Sequence, residues 1–163
     1  MRNFRPGLYS GGAWFSALLA AIIATPVIAQ TVPNFRTLKL APGFSSTQGK
    51  TNGYTGGTFS LSAISNRDRD GKMCIGFADS NPDFIIELDK DFSRLQVLVN
   101  SGGKDTTLVI RGPNKTIRCG DDTGKSKDAS IDDQQWPSGK YEVWVGAFEP
   151  GVKFNYTLSV KEK

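Results

Sequence analysis

Histidine is absent from all 163 residues. That removes Ser-His-Asp and Cys-His nucleophile pairs within one chain, and with them any histidine-based metal centre. Glutamate is nearly as scarce, confined to Glu87, Glu142, Glu149 and Glu162. Two-carboxylate hydrolysis stays formally open through the aspartates. Still, Glu87 and Glu142 read as solvent-facing strand positions and Glu162 stands near the C-terminus, so a carboxylate-based hydrolase is the weakest reading. No window after residue 30 has a helix-length 3.6-residue period, and no run of basic residues forms a stripe. The first excludes a helical bundle, and the second makes nucleic acid a poor partner.

What is present starts at the N-terminus. Arg2 and Arg5 precede an uncharged gap that lasts until Arg36 and contains the apolar run Trp14-Phe-Ser-Ala-Leu-Leu-Ala-Ala-Ile-Ile-Ala. Pro26 breaks that run, and Val27-Ile28-Ala29 offers suitable −3 and −1 residues, so residues 1–29 read as a secretory signal peptide cut between Ala29 and Gln30. The rival is an uncleaved anchor, since the gap approaches the ~20 residues of a membrane span. Cleavage leaves no stable membrane span and places the chain in the periplasm or outside the cell. The mature chain is then Gln30 to Lys163, 134 residues, a usual size for one domain with its own core. Losing two arginines leaves 18 basic against 16 acidic residues, a net charge of +2.

The two cysteines, Cys74 and Cys119, most simply form one disulfide in an exported chain, with two buried free thiols as the alternative. Closing a loop of this length stabilises by about 4 kcal/mol in the chain-entropy account.

Residues 30–57 read as a lead-in segment, with Thr37-Leu-Lys-Leu as a short edge strand and Gly49 to Gly57 too glycine-rich and polar for an element interior. The domain proper is expected over 58–163. Candidate strands recur about every ten residues: Phe59–Ile64, Met73–Phe77, Phe84–Leu88, Leu95–Val99, Thr106–Ile110, Thr116–Cys119, Tyr141–Gly146 and Phe154–Lys161. Ser80-Asn-Pro-Asp, Ser101-Gly-Gly-Lys and Gly112-Pro-Asn-Lys supply turns between them. About eight short strands with period-two alternation predict an all-β fold, a β-sandwich or jelly roll.

The stretch from Cys74 to Val160 resembles the bacterial pre-peptidase C-terminal (PPC) domain. The resembling residues are Pro82-Asp83, Leu88, Leu95, Asp105-Thr-Thr-Leu-Val-Ile, Gly112-Pro, Cys119-Gly-Asp-Asp, Trp136-Pro-Ser-Gly-Lys-Tyr, Val143-Trp-Val-Gly and Tyr156-Thr-Leu. The resemblance implies a small β-sandwich, an accessory module usually found beside secreted peptidases, some of whose relatives bind calcium or collagen. No peptidase domain lies within these 163 residues, which departs from the usual arrangement.

Two acidic loops are candidates for calcium, which takes six to eight hard oxygen ligands. Asn66-Arg-Asp68-Arg-Asp70-Gly71 matches the start of a D-x-[DN]-x-[DN]-G loop, but Phe77 stands where the bidentate Glu belongs. The second is Asp121, Asp122 and Asp128 just past Cys119, with Asp132 and Asp133 further on and Lys125 and Lys127 as neutralising neighbours. Plain turn-forming is the ordinary role of such aspartates. No cofactor is certain; calcium is the one that these residues suggest.

Aromatic residues give a third candidate. If Tyr141, Val143, Val145 and Ala147 face the core, Trp144 and Phe148 stand on the other side across Gly146. Exposed, they would make a stacking platform for a sugar ring; covered by a loop, with Trp136 helping to form that lid, they would be core. These residues fit a non-catalytic secreted binding module for a protein or polymer, with calcium as a candidate stabiliser and a carbohydrate-binding module using Trp144, Phe148 and Trp136 as the alternative.

Overall fold

The computed structural model describes residues 31–163 together with the isolated residues 1, 3 and 7. The expected signal peptide therefore lies outside the described residues. Among the described residues no helix is long and apolar enough to cross a membrane.

Eleven strands and two short 3-10 turns make up the fold. In chain order they are β1 (Arg36–Leu40), β2 (Lys50–Tyr54), β3 (Phe59–Ser60), β4 (Phe77–Ala78), β5 (Phe84–Leu88) and β6 (Phe92–Asn100). Then follow β7 (Thr106–Arg111), β8 (Ile117–Thr123), β9 (Ser126–Trp136), β10 (Gly139–Ala147) and β11 (Asn155–Glu162). One curled sheet runs β1-β5-β10-β7-β8-β9-β6-β11-β2, with β3 and β4 added at the end of β10. The all-β expectation holds, with eleven strands in place of about eight.

β8 is where the sheet folds over. Its first half, Ile117–Gly120, pairs with β7, while Asp121 and Thr123 pair with β9 across a register shift. Gly120 is needed there, because a Cβ would meet Ser130 O at 2.3 Å. The two layers close on one core. Phe84, Ile86 and Leu88 of β5, Leu108 and Ile110 of β7, and Tyr141, Val143 and Val145 of β10 face Leu95, Val97 and Val99 of β6, Ile131 of β9, and Leu158 and Val160 of β11. These are the period-two positions, one face inward and one outward on each strand.

From residue 31 on, the lead-in segment pairs with the rest of the sheet. β1 runs parallel to β5, Arg36 opposite Phe84 and Leu40 opposite Leu88, and buries Leu38 and Leu40. β2 pairs with β11, although its glycine-rich sequence argued for a loop. Gly53 sits where a Cβ would come within 2.6 Å of the Tyr156 hydroxyl, so the closeness of that ring requires the glycine.

The outer face of β7, β8 and β10 is covered as well. Leu61, Cys74 and Ala78 from the 58–78 segment pack on Val109, Cys119 and Trp144 as a second apolar cluster. A disulfide between Cys74 and Cys119, Cα atoms 5.3 Å apart, fastens this flap to the sheet. Covering both faces explains why β7 is buried from Thr106 to Ile110.

Candidate functional site

The aspartates proposed from sequence fall into separate places, each fixed by its neighbours. Asp68 organises its own turn: its carboxylate accepts the N–H groups of Asp70 and Lys72 at 2.9 Å each and that of Cys119 at 3.2 Å. Asp70 faces Arg69 at 3.8 Å. That arrangement is the local bonding expected of turn aspartates, and it does not bring Asp68 and Asp70 together around one point.

Asp128 does not join Asp121 and Asp122. It lies on β9 and closes the β6–β7 turn, accepting from Ser101 N at 2.8 Å and Gly103 N at 3.2 Å as well as from the Ser101 and Ser126 hydroxyls. Desolvation works against its ionised form, but these hydrogen bonds prevail and hold the carboxyl below its ordinary value. Asp132 pairs with Arg94, at 2.7 and 3.0 Å, and Asp133 is shared by Arg118 at 2.7 Å and Arg69 at 2.8 Å.

Asp121 and Asp122 find a partner that the sequence did not suggest. Asp105, from the loop before β7, brings its carboxylate within 4.8 Å of both. Burial first, then the charges of Asp122 and Asp105, push the Asp121 carboxyl up. Three carboxylates are hard ligands of the kind that calcium uses, though fewer than the six to eight oxygens it takes. Lys127 already donates to Asp105 at 2.6 Å and neutralises part of the charge.

The aromatic platform is not assembled. Trp144 is 3% exposed beneath the 58–78 flap, in contact with the disulfide cluster, and its Nε1 donates to Ser80 O at 3.4 Å. Trp136 is 1% exposed and belongs to the main core, so it forms no lid over Trp144. Its ring packs on Tyr141 at 5.3 Å and carries the Arg118 guanidinium at 4.1 Å. Phe148 alone of the three is exposed, at 54%, beside Asp105, Lys127, Val152 and Phe154. The loop-covered alternative is the one found for Trp144, because its apolar surface has the flap to bury against.

The glutamates read as solvent-facing or C-terminal are engaged in bonds: Glu142 with Arg111 at 2.6 Å, Glu87 with Lys39 at 3.4 Å, and Glu162 accepting the Gly43 N–H at 2.9 Å.

No protein-family profile matches the sequence, and no curated protein does either. Solved structures do. One is the pre-peptidase C-terminal domain of a collagenase from Bacillus anthracis, 14% identical over 77% of this chain and 94% of that one, TM-score 0.44. Another is CorA, a surface-associated copper-binding protein of Methylomicrobium album BG8, 10% identical over 78% of this chain and 100% of that one, TM-score 0.45. A PPC domain, the family the sequence resembles, is thus among the structures similar to this one.

Two clefts missed by sequence reasoning lie at opposite ends of the β1–β5 pair. At the C-terminal end, Lys39 and Leu40 of β1 with Ala41 after it, Glu87 and Leu88 of β5 with Asp89 after it, and Gly139 and Lys140 of β10 line an open cleft of about 470 Å³. The lining runs across the ends of three neighbouring strands, β1, β5 and β10, and β1 is the terminal strand of the sheet. At the N-terminal end, Asn34, Phe35, Tyr54, Gly56, Asp79 and Asp83 line a cleft of about 220 Å³.

Asp83 is the most perturbed carboxylate of the site. It is 4% exposed, accepts the Val145 N–H at 2.7 Å and an Asn34 side-chain N–H at 3.4 Å. Burial raises its carboxyl from 3.8 to about 7 against the pull of those bonds, and the charge of Asp79 adds to the rise. Tyr156 is buried beside it, its hydroxyl pushed well above the usual range by burial and then by the charge of Asp83. The sequence shows only Pro82-Asp83 after a turn; the burial depends on Val145, 62 residues away.

Proposed function

We propose that this chain is a non-catalytic, secreted or periplasmic binding module that holds an extended protein or polymer along its free β1 edge. This rests on the cleft of about 470 Å³ across the ends of β1, β5 and β10, beside the terminal strand, floored by Leu40 and Leu88 and rimmed by Lys39, Glu87, Asp89 and Lys140. A free strand edge offers unpaired main-chain groups to an added strand, and the neighbouring cleft offers side-chain selectivity. Rim charges of both signs suit a partner that is itself polar and alternating. The Cys74–Cys119 disulfide supports the exported setting, because such bonds persist in oxidising compartments.

Calcium enters this reading as a stabiliser at Asp105, Asp121 and Asp122, where it would compete with Lys127. It takes no part in holding the partner at the β1 edge.

The test is binding without turnover. The protein is applied to an array of extended peptides and to cellulose, chitin and peptidoglycan, and each hit is titrated against Lys39→Glu/Lys140→Glu. Saturable binding that falls at least tenfold in the variant, at unchanged melting temperature, supports the reading. Absence of any hit, or a hit indifferent to the variant, overturns it.

A further inference from the structure

The cleft at the other end of β1 has a different chemistry from the edge cleft, pairing aromatic walls with carboxylates. Phe35 and Tyr54 meet edge to face, centroids 5.1 Å apart and planes at 82°, so two ring surfaces form a corner. Phe84 stacks behind Phe35 at 5.3 Å, and Tyr156 abuts Phe84 at 6.3 Å. The corner is therefore backed by core. Asp83 lies buried within the lining and Asp79 is exposed in it.

We propose that this cleft binds the ammonium end of an unbranched amine, either a lysine side chain of a partner or a free aliphatic diamine. Three observations carry this assignment. First, the walls present ring faces, which attract an organic cation through the aromatic quadrupole. Tyr54 already takes one, since Lys153 Nζ lies 4.9 Å from its centroid. Second, the polar part of the lining is Asn34 with two carboxylates, Asp79 and Asp83, neither of them ion-paired among the described residues, the nearby cation Lys153 lying over Tyr54 instead. A guest without charge would leave Asp83 as it stands, whereas an ammonium brings three donors and a compensating charge. Third, the volume of about 220 Å³ suits a slim chain end better than a sugar ring with its bound water. A divalent ion fits less well, because half of the lining is ring or glycine and such ions require six or more oxygens.

Lys153 is the built-in competitor. Its stem runs past Gly56, with Cε 3.9 Å from where a Cβ would stand there, and its head covers one face of Tyr54. Removing it frees that face for an incoming ammonium.

Binding depends on the ionised form of Asp83. The groups that face Asp83 are Asp79 on the β4–β5 connection, Tyr156 on β11, Asn34 ahead of β1 and the Val145 N–H on β10. Asp79, which is exposed, and Tyr156 are the titratable ones, and burial keeps the Tyr156 hydroxyl neutral over pH 6 to 8. With its carboxyl at about 7, Asp83 is roughly a tenth ionised at pH 6 and nine-tenths at pH 8. An amine with an ordinary pKa near ~10.4 stays charged throughout. Affinity therefore rises about tenfold over this interval.

The experiment follows the amide signals of Val145 and the Asn34 side chain by proton–nitrogen NMR. The probes are Nα-acetyl-lysine N-methylamide, cadaverine and, as the uncharged control, Nα-acetyl-norleucine N-methylamide. Saturable shifts with both amines and none with norleucine are expected, tightening about tenfold from pH 6 to pH 8. Asp79→Asn and Tyr54→Leu should each weaken binding at least fivefold, and Lys153→Met should strengthen it. Tighter binding of cadaverine assigns the site to free diamines, and tighter or equal binding of the lysine amide assigns it to a partner's side chain. Equal shifts with norleucine, no shift with either amine, or an affinity flat in pH would each overturn the proposal, whatever becomes of the variants.

Discussion

Asp68 accepts the backbone N–H of Cys119 at 3.2 Å, and the Arg69 N–H donates to Ile117 O at 3.2 Å, so with the disulfide from Cys74 the flap is attached to β8 three times over. The turn between them, 68 to 74, is thus closed at both ends against the sheet.

Breaking the covalent attachment with Cys74→Ala/Cys119→Ala should lower stability by about 4 kcal/mol, read by urea unfolding. Thiol titration of the unfolded, unreduced protein should find no reactive thiol. Asp68→Ala should cost about 1 to 2 kcal/mol, equally in EDTA and in calcium, because its carboxylate serves turn and strand N–H groups.

Trp144 should behave as core. Trp144→Ala is expected to cost about 3 to 5 kcal/mol, since it empties the space between Leu61, Val109 and the disulfide. Phe148→Ala, at an exposed position, should stay within about 0.5 kcal/mol. Thermal melts of the two variants side by side decide the matter. A loss of sugar affinity at unchanged melting temperature in Trp144→Ala would contradict the burial.

Asp83 sets a pH dependence whose sign is fixed. Its folded-state carboxyl stands at about 7 against 3.8 in the free state, so the folded form holds the proton more tightly. The contribution is fully present below pH 3.8 and is lost as pH rises to about 7, on the order of 4 kcal/mol in all. Asp83→Asn, which imitates the protonated form, should flatten this descent. Unfolding free energies at half-unit steps from pH 4 to pH 8, wild type against variant, measure it.

The Asp105–Asp121–Asp122 corner should respond to calcium through stability. Millimolar calcium is expected to raise the melting midpoint by several degrees relative to EDTA, as a ligand at a hundredfold excess over its Kd adds about 2.7 kcal/mol. Lys127→Met should enlarge the shift by freeing Asp105, and Asp121→Ala/Asp122→Ala should abolish it. A midpoint indifferent to calcium in both wild type and Lys127→Met would leave the corner a plain lysine-balanced turn.

Sequence and structure agree where a strand has one wet face and one dry face. Leu95, Val97 and Val99 of β6, or Tyr156, Leu158 and Val160 of β11, announce themselves by alternation. β9 did not, because over its eleven residues only Ala129, Ile131 and Trp136 turn inward; the remainder reads as an acidic loop and is held in place by β6 and β8. Met73 to Phe77 erred the other way. Its apolar residues looked like a strand, yet Phe77–Ala78 is its one strand and Met73 makes only an isolated bridge to Arg67, since Cys74 serves the flap cluster. The acidic corner was half legible: Asp121 and Asp122 adjoin in sequence, whereas Asp105 arrives only through the β7–β8 pairing. Asp83 was not legible at all, because depth in a sheet is a property of strands far along the chain.

The division of β8 between two layers ties the described residues together. Neither layer has a complete set of neighbours until that strand is placed, so the two are expected to melt in one transition. Partners drawn to either end of β1 would therefore stabilise the whole body, and a protease that reaches β8 would undo both layers with one cut.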